Sequence, residues 1–190
     1  MKLPPIDYAR ISRAIDWYVS AGYTYIEVPW YTSREIATAL MPPDKVRNRP
    51  YQLPDDMELV GSGEVALVGM LSRGALTPET FYVTCTPCFR WEPDCSVTHL
   101  PQFLKVELFH SGPWDASSRI LEEAERFLSD ESIGLSGTVK TSEGHDINIH
   151  GIEVGSYGYR YRGYQSLSWS YGTGLAEPRT SYALQQGDKS

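Results

Sequence analysis

Cysteine is scarce in this sequence: three thiols, Cys85, Cys88 and Cys95, in 190 residues. So small and odd a number excludes a disulfide framework and points to reduced thiols in a cytoplasm. Positive charge is also short, with 17 Lys and Arg against 24 Asp and Glu, a formal net charge of −7. A chain of that sign does not grip nucleic acid by bulk electrostatics. Long apolar runs are missing too. The longest, Leu59 to Ser72, is broken by Glu64 and is too short to span a membrane. Met1-Lys2-Leu3-Pro4-Pro5 lacks the apolar centre of a secretory signal. No repeat, low-complexity tract or long linker divides the chain, so residues 1–190 read as one domain large enough for a sizeable core. A Ser–His–Asp or Cys–His arrangement for nucleophilic catalysis is likewise absent, since His99, His110, His145 and His150 are scattered.

What is present alternates between two periods. Asp7 is placed to cap a helix whose Tyr8, Ile11, Ile15 and Tyr18 recur at helical spacing, with Gly22 just past its end. An extended stretch, Tyr23 to Tyr31, follows. Thr32-Ser33-Arg34-Glu35 reads as a capping box opening a short helix that stops before Pro42-Pro43. Residues 42–58, rich in proline and charge, read as a surface loop. Glu64 to Arg73 forms another short helix, and after Asp115 the spacing of Ile120, Leu121, Ala124, Phe127 and Leu128 marks the clearest one. Residues 81–92 and 102–110 alternate at period two around a polar loop, an antiparallel hairpin. Residues 146–171 are again strand-like. Strands outnumber crossover helices, so the fold class is α+β: a mainly antiparallel β-sheet flanked by helices.

The hairpin carries the chemistry. Phe103, Lys105 and Glu107 share one face of its second arm, while Arg90 and Glu92 share a face of the first. If these faces coincide, a guanidinium, two carboxylates and an ammonium surround an aromatic ring, a set able to hold phosphate, amino groups and a base. The same pattern fits a solvated outer face with weak cross-strand ion pairs. Two other patterns also leave alternatives open. Cys85-x-x-Cys88 with Cys95 and His99 can be drawn as a zinc site or as ordinary thiols. Tyr157, Tyr159 and Tyr161, with Arg160 and Arg162 opposite, read as a nucleotide-stacking stripe or as a core or dimer face.

Four separated segments resemble class II aminoacyl-tRNA synthetases. Gly22 to Tyr31 is similar to their first signature. Cys88-Phe89-Arg90-Trp91-Glu92 with Gln102 to Glu107 is similar to the second, and Tyr171 to Thr180 to the third. Thr86 to Arg90, Gln102 to Leu108 and Ala176-x-Pro178-Arg179-Thr180 most resemble the seryl branch. Glu153-Val154-Gly155-Ser156 is similar to the family's Glu-x-x-Ser. The resemblance implies ATP and Mg²⁺. Arg90 is assigned to the α-phosphate and the amino-acid carboxylate, Glu92 to the adenine amino group or the adjoining loop, and Phe103 to one face of the base. Arg179 is assigned to the γ-phosphate and the other face. Glu153 and Ser156 would ligate the metal, as hard oxygen donors do. In an ideal strand those two point to opposite faces, so the match needs a bulge, which Gly155 permits. Ser62-Gly63-Glu64 resembles the segment that holds the substrate amino group, and Glu107 sits where seryl enzymes contact the side chain.

The implied reaction is ATP- and Mg-dependent activation of a small amino acid to an aminoacyl-adenylate, with transfer to a tRNA or a carrier protein. The first signature builds a dimer interface in this family, which implies a C2 homodimer. Only 21 residues precede Gly22 and 11 follow Arg179, so the expectation is a truncated, stand-alone core without an anticodon-binding or tRNA-arm domain. The competing reading is a non-catalytic paralog acting as a nucleotide-binding or regulatory subunit.

Overall fold

The computed structural model describes residues 4–41, 51–92, 94–96, 99–131, 133–134 and 137–187. Helix α1 (Tyr8–Ser20) starts where the Asp7 carboxylate accepts a hydrogen bond of 2.8 Å from the Arg10 amide, and it ends before Gly22 at φ +100°. β1 (Thr24–Tyr25) then pairs in parallel with β5 (Phe81–Phe89). The extended stretch expected over Tyr23 to Tyr31 is thus cut short: the chain leaves the main sheet, Pro29 offers no amide donor, and pairing resumes only at β2 (Tyr31–Ser33) in a second sheet.

Helix α2 (Arg34–Leu40) is capped one residue later than the capping-box pattern predicts. Ser33 accepts from the Ile36 amide, while Thr32 is a buried strand residue and Glu35 accepts from the Tyr164 hydroxyl. The loop expected over 42–58 changes as well. Residues 42–50 lie outside the described residues, but β3 (Gln52–Leu53) and β4 (Met57–Leu59) form a hairpin, completing a small sheet of order β2-β4-β3. Asp55 and Asp56 turn it at φ +59° and +57°, a conformation aspartate tolerates. Helix α3 (Gly63–Ser72) begins at the Ser62 cap.

The expected hairpin forms as β5 and β6 (Gln102–His110), in register from Phe81 opposite His110 to Phe89 opposite Gln102. Helix α4 (Ser117–Asp130) buries Ile120, Ala124, Phe127 and Leu128. β7 (Gly137–Lys140), fully exposed and without an apolar pattern, was not foreseen. β8 (Gly144–Ile149), β9 (Ile152–Arg160), β10 (Trp169–Glu177) and α5 (Arg179–Gly187) complete the chain. The main sheet runs β1-β5-β6-β10-β9-β8-β7, antiparallel except at β1.

The two faces of this sheet are buried differently. On one, Val106, Leu108, Ile147 and Tyr157 pack with Tyr18 of α1, Ile120 and Phe127 of α4 and Ala183 of α5. On the other, Tyr82, Phe109, Trp169 and Tyr171 pack with Leu67 and Val68 of α3. α3 covers only part of that second face, and the remainder is where the hairpin's polar side chains lie. The tyrosine stripe divides: Tyr157 is core, Tyr159 donates to the Pro113 carbonyl, and Tyr161 is 66% exposed.

One buried group gives the fold a pH dependence. His110 is enclosed between Phe81 and Trp114, with ring centroids 4.4 and 4.3 Å away, and among the described residues neither ring nitrogen has a hydrogen-bond partner. Burial, aided by the Arg119 charge, pushes its pKa from 6.5 down to about 4. The folded state therefore binds fewer protons than the unfolded chain in that window. Stability is fully present above about pH 6.5 and falls as pH drops towards 4, by at most about 3 kcal/mol. Urea unfolding from pH 7.5 to 4.5 is expected to show this slope in the native protein and a flatter one in His110→Phe.

Candidate active site

The β5–β6 register decides which side chains meet. Because Val106 and Leu108 enter the core beneath α1 and α4, Phe103, Lys105 and Glu107 emerge on the α3 side. Arg90 leaves the end of β5 with its amide donating to the Pro101 carbonyl at 3.0 Å. Its Nε donates to the Gly61 carbonyl at 3.1 Å, and its guanidinium carbon lies 4.9 Å from the Phe103 ring centroid. Arg179, the first residue of α5, brings a second guanidinium 5.7 Å from the same centroid. Two cations thus converge over one buried aromatic ring. Burial lowers the Arg179 pKa, Glu153 opposes that shift, and Arg90 adds to it by like-charge repulsion. An anion between the guanidiniums would relieve both penalties.

Glu153 lies 3.4 Å from Arg179 Nη1 through Oε1, and its side chain is half exposed. The bulge required for Glu153 and Ser156 exists: Gly155 pairs with Ile147 and Glu153 with Asn148, which leaves Val154 as the extra residue. Val154 and Tyr157 consequently both enter the core, and Glu153 and Ser156 share the opposite side. A carboxylate and a hydroxyl there suit a hard divalent cation such as Mg²⁺, with further ligands from phosphate and water. Among the described residues no three His, Cys, Asp or Glu side chains gather as a metal cluster. Cys85 and Cys88 lie on β5, one half-buried and one buried, and burial raises both thiols to about 11.

Beside Arg90 opens a cavity of about 360 Å³ whose walls include Ser62, Glu64, Glu92, Lys105 and Ser156. Ser62 donates to Glu107 Oε2 at 2.9 Å, and Lys105 Nζ is 2.9 Å from Glu107 Oε1. Glu107 itself is fully buried, with Ser62 and Lys105 on its two carboxylate oxygens. Glu64 accepts 2.8 Å from the Trp169 indole N–H. Burial raises its pKa, the nearby Glu107 charge adds to this, and the indole bond opposes it. An Arg160–Glu143 ion pair at 2.7 Å closes another side.

The sequence-predicted residues therefore sort into two adjoining groups. Arg90, Phe103, Arg179 and Glu153 form one; Ser62, Glu64, Lys105 and Ser156 surround the cavity, with Arg90 and Glu92 reaching it. Sequence reasoning missed Glu143 and Glu58, which line the cavity, and the Trp169 bond to Glu64. Glu143 follows the unforeseen strand β7, and Trp169 meets Glu64 across 105 residues, a pairing with no local signal.

No family model matches the chain. It is 26% identical over 137 residues to the serine–tRNA ligase of Staphylothermus marinus, covering 65% of this chain and 30% of that protein. For the serine–tRNA ligase of Cenarchaeum symbiosum the figures are 29%, 64% and 32%. The chain thus spans about a third of the length of these curated relatives. Among solved structures, seryl-tRNA synthetase from Pyrococcus horikoshii complexed with ATP superposes with a TM-score of 0.72 at 21% identity, covering 94% of this chain and 49% of that one. Pyrrolysyl-tRNA synthetase from Desulfitobacterium hafniense gives 0.73 at 13%, covering 96% and 70%. The fold is that of the class II aminoacyl-tRNA synthetase catalytic core, and the sequence is similar to the seryl-type ligases.

Proposed function

We propose that this chain binds ATP with Mg²⁺ and activates an amino acid as an aminoacyl-adenylate. The observation that carries this reading is the convergence of Arg90 and Arg179 over Phe103, beside a cavity holding Ser62 and Glu64. An adenine stacks on Phe103, with its amino group towards Glu92, while the guanidiniums neutralise phosphate oxygens. The substrate carboxylate attacks the α-phosphorus in line, the bond to the β-phosphate oxygen breaks, and pyrophosphate leaves. That nucleophile is already ionised, so no general base is needed, in keeping with the lack of a catalytic His or Ser constellation. Arg90 aligns the carboxylate with the α-phosphate, and Arg179 holds the terminal phosphate. Glu64 receives the substrate ammonium, whose arrival offsets the burial that raises the carboxyl pKa. Rate enhancement comes from positioning and from cancelling charge that develops in the transition state. A Mg²⁺ held by Glu153 and Ser156 supplies additional phosphate neutralisation when bound.

The acyl acceptor is a tRNA end or a carrier protein. The chain acts in a cytoplasm as a homodimer, for which the exposed Trp30 and Tyr31 of the first signature supply apolar surface. Calorimetry with ATP and Mg²⁺ tests the nucleotide site, and thermal-shift assays with the twenty amino acids plus ATP test the adjoining one. Both are expected to respond. Heat from ATP without any amino-acid response would favour the regulatory-subunit reading, and no heat of nucleotide binding would refute the proposal.

A further inference from the structure

Glu58 has no place in the scheme above, yet it lines the same cavity. It lies at the middle of β4, opposite Thr32 of β2 and Gln52 of β3, and is 1% exposed. Among the described residues neither carboxylate oxygen has a hydrogen-bond partner. A buried carboxylate with no donor is expensive to keep and rare in native structures. The cavity's cations are already engaged: Lys105 is paired with Glu107, Arg160 with Glu143, and Arg90 with the Gly61 carbonyl and the Phe103 ring. Helix α2 packs against β4, so Ala37 and Leu40 bring apolar wall to this end, joined by Met41, Leu59 and Val60. Among the described residues no hydrogen bond fixes the carboxylate where it is, and turning it towards a cavity occupant breaks none of theirs.

An apolar wall with one unsatisfied carboxylate matches an aliphatic stem that ends in a positive donor. Glu64 already answers the substrate's α-ammonium, so a second buried carboxylate calls for a second ammonium. We propose that Glu58 selects an α-amino acid carrying a second amine at the end of a short aliphatic stem. This rests on the reading that the cavity takes an amino acid.

The test is calorimetric titration of the full chain, with a non-hydrolysable ATP analogue and Mg²⁺ present, by 2,4-diaminobutyrate, ornithine, lysine, serine and alanine. One of the diamino acids is expected to bind at least tenfold tighter than serine or alanine. Glu58→Gln is expected to erase that preference with an unchanged or raised melting temperature, because it removes an uncompensated buried charge. Glu58→Asp should keep the preference for an amine and move the optimum to a longer stem. Serine or alanine binding as tightly as the diamino acids overturns the proposal. So does an unaltered preference in Glu58→Gln, a melting temperature lowered by several degrees in that variant, or binding of none of the five. ATP–pyrophosphate exchange run in parallel separates the two readings. Exchange with serine but not with a diamino acid removes this inference and leaves activation standing. Glu58-dependent binding without exchange does the reverse.

Discussion

Arg90→Ala is expected to lower amino-acid-dependent ATP–pyrophosphate exchange by about 10³-fold, equivalent to roughly 4 kcal/mol of transition-state stabilisation. The head group is held by two contacts, the Gly61 carbonyl accepting from Nε and the Phe103 ring lying under the guanidinium. It is therefore held in position before ATP arrives. Arg90→Lys keeps the charge but loses the planar fork, so about a hundredfold loss is expected from it as well. Neither variant should shift the melting temperature by more than a few degrees, since the deleted contacts are one hydrogen bond and one ring stack. A large drop in stability would mean that the residue belongs to the fold rather than to the phosphate site. Kinetics separate the roles further: loss in kcat as well as in KM marks a contact that strengthens in the transition state.

The second large effect falls on stability. Glu107→Ala leaves Lys105 buried without its counter-ion and removes the acceptor of the Ser62 hydroxyl. Breaking one side of a buried pair costs about 3–5 kcal/mol, a large part of the 5–15 kcal/mol typical of a domain. Urea denaturation should report that loss. Glu107→Met combined with Lys105→Met should recover much of it, because two apolar side chains leave no stranded charge. The damage to function is indirect. Once Ser62 and Lys105 lose their common anchor, KM for the amino acid rises while the affinity for ATP, set by Arg90, Phe103 and Arg179, changes little. A direct substrate contact by Glu107, as the family resemblance suggests, would instead raise KM in Glu107→Gln without comparable destabilisation.

These two residues also show how far the sequence could be read. Arg90, Phe103 and Glu107 were found together because alternation in a hairpin is local and the motifs lie in order along the chain. The same logic anticipated the β9 bulge, since Glu153 and Ser156 cannot share a face without one; the extra residue is Val154. Whether a face is solvated or covered is not a local property. Lys105 and Glu107 have the spacing of an exposed ion pair, but α3 and Ser62 cover them. The small sheet was hidden for a related reason. Its strands are two or three residues long, and Pro54-Asp55-Asp56 reads as loop whether or not its flanks pair. Strand β7 carries no apolar alternation because every residue in it is exposed. Glu58 reads as one more charge in a polar stretch; packing by β2, β3 and α2 buries it, without a hydrogen-bond partner among the described residues. The described residues contain no helix long and apolar enough to cross a membrane.

On the function proposed here, the two guanidiniums over Phe103 and the adjoining cavity together form one adenylate-forming site. Exchange of labelled pyrophosphate into ATP measures this directly, because label returns to ATP only if an amino acid has displaced pyrophosphate and the step has reversed. Exchange is expected to require both Mg²⁺ and one class of amino acid and to collapse in Arg90→Ala. Exchange that is independent of added amino acid or that persists unchanged in Arg90→Ala would contradict it, as would ATP binding without exchange for every amino acid tried.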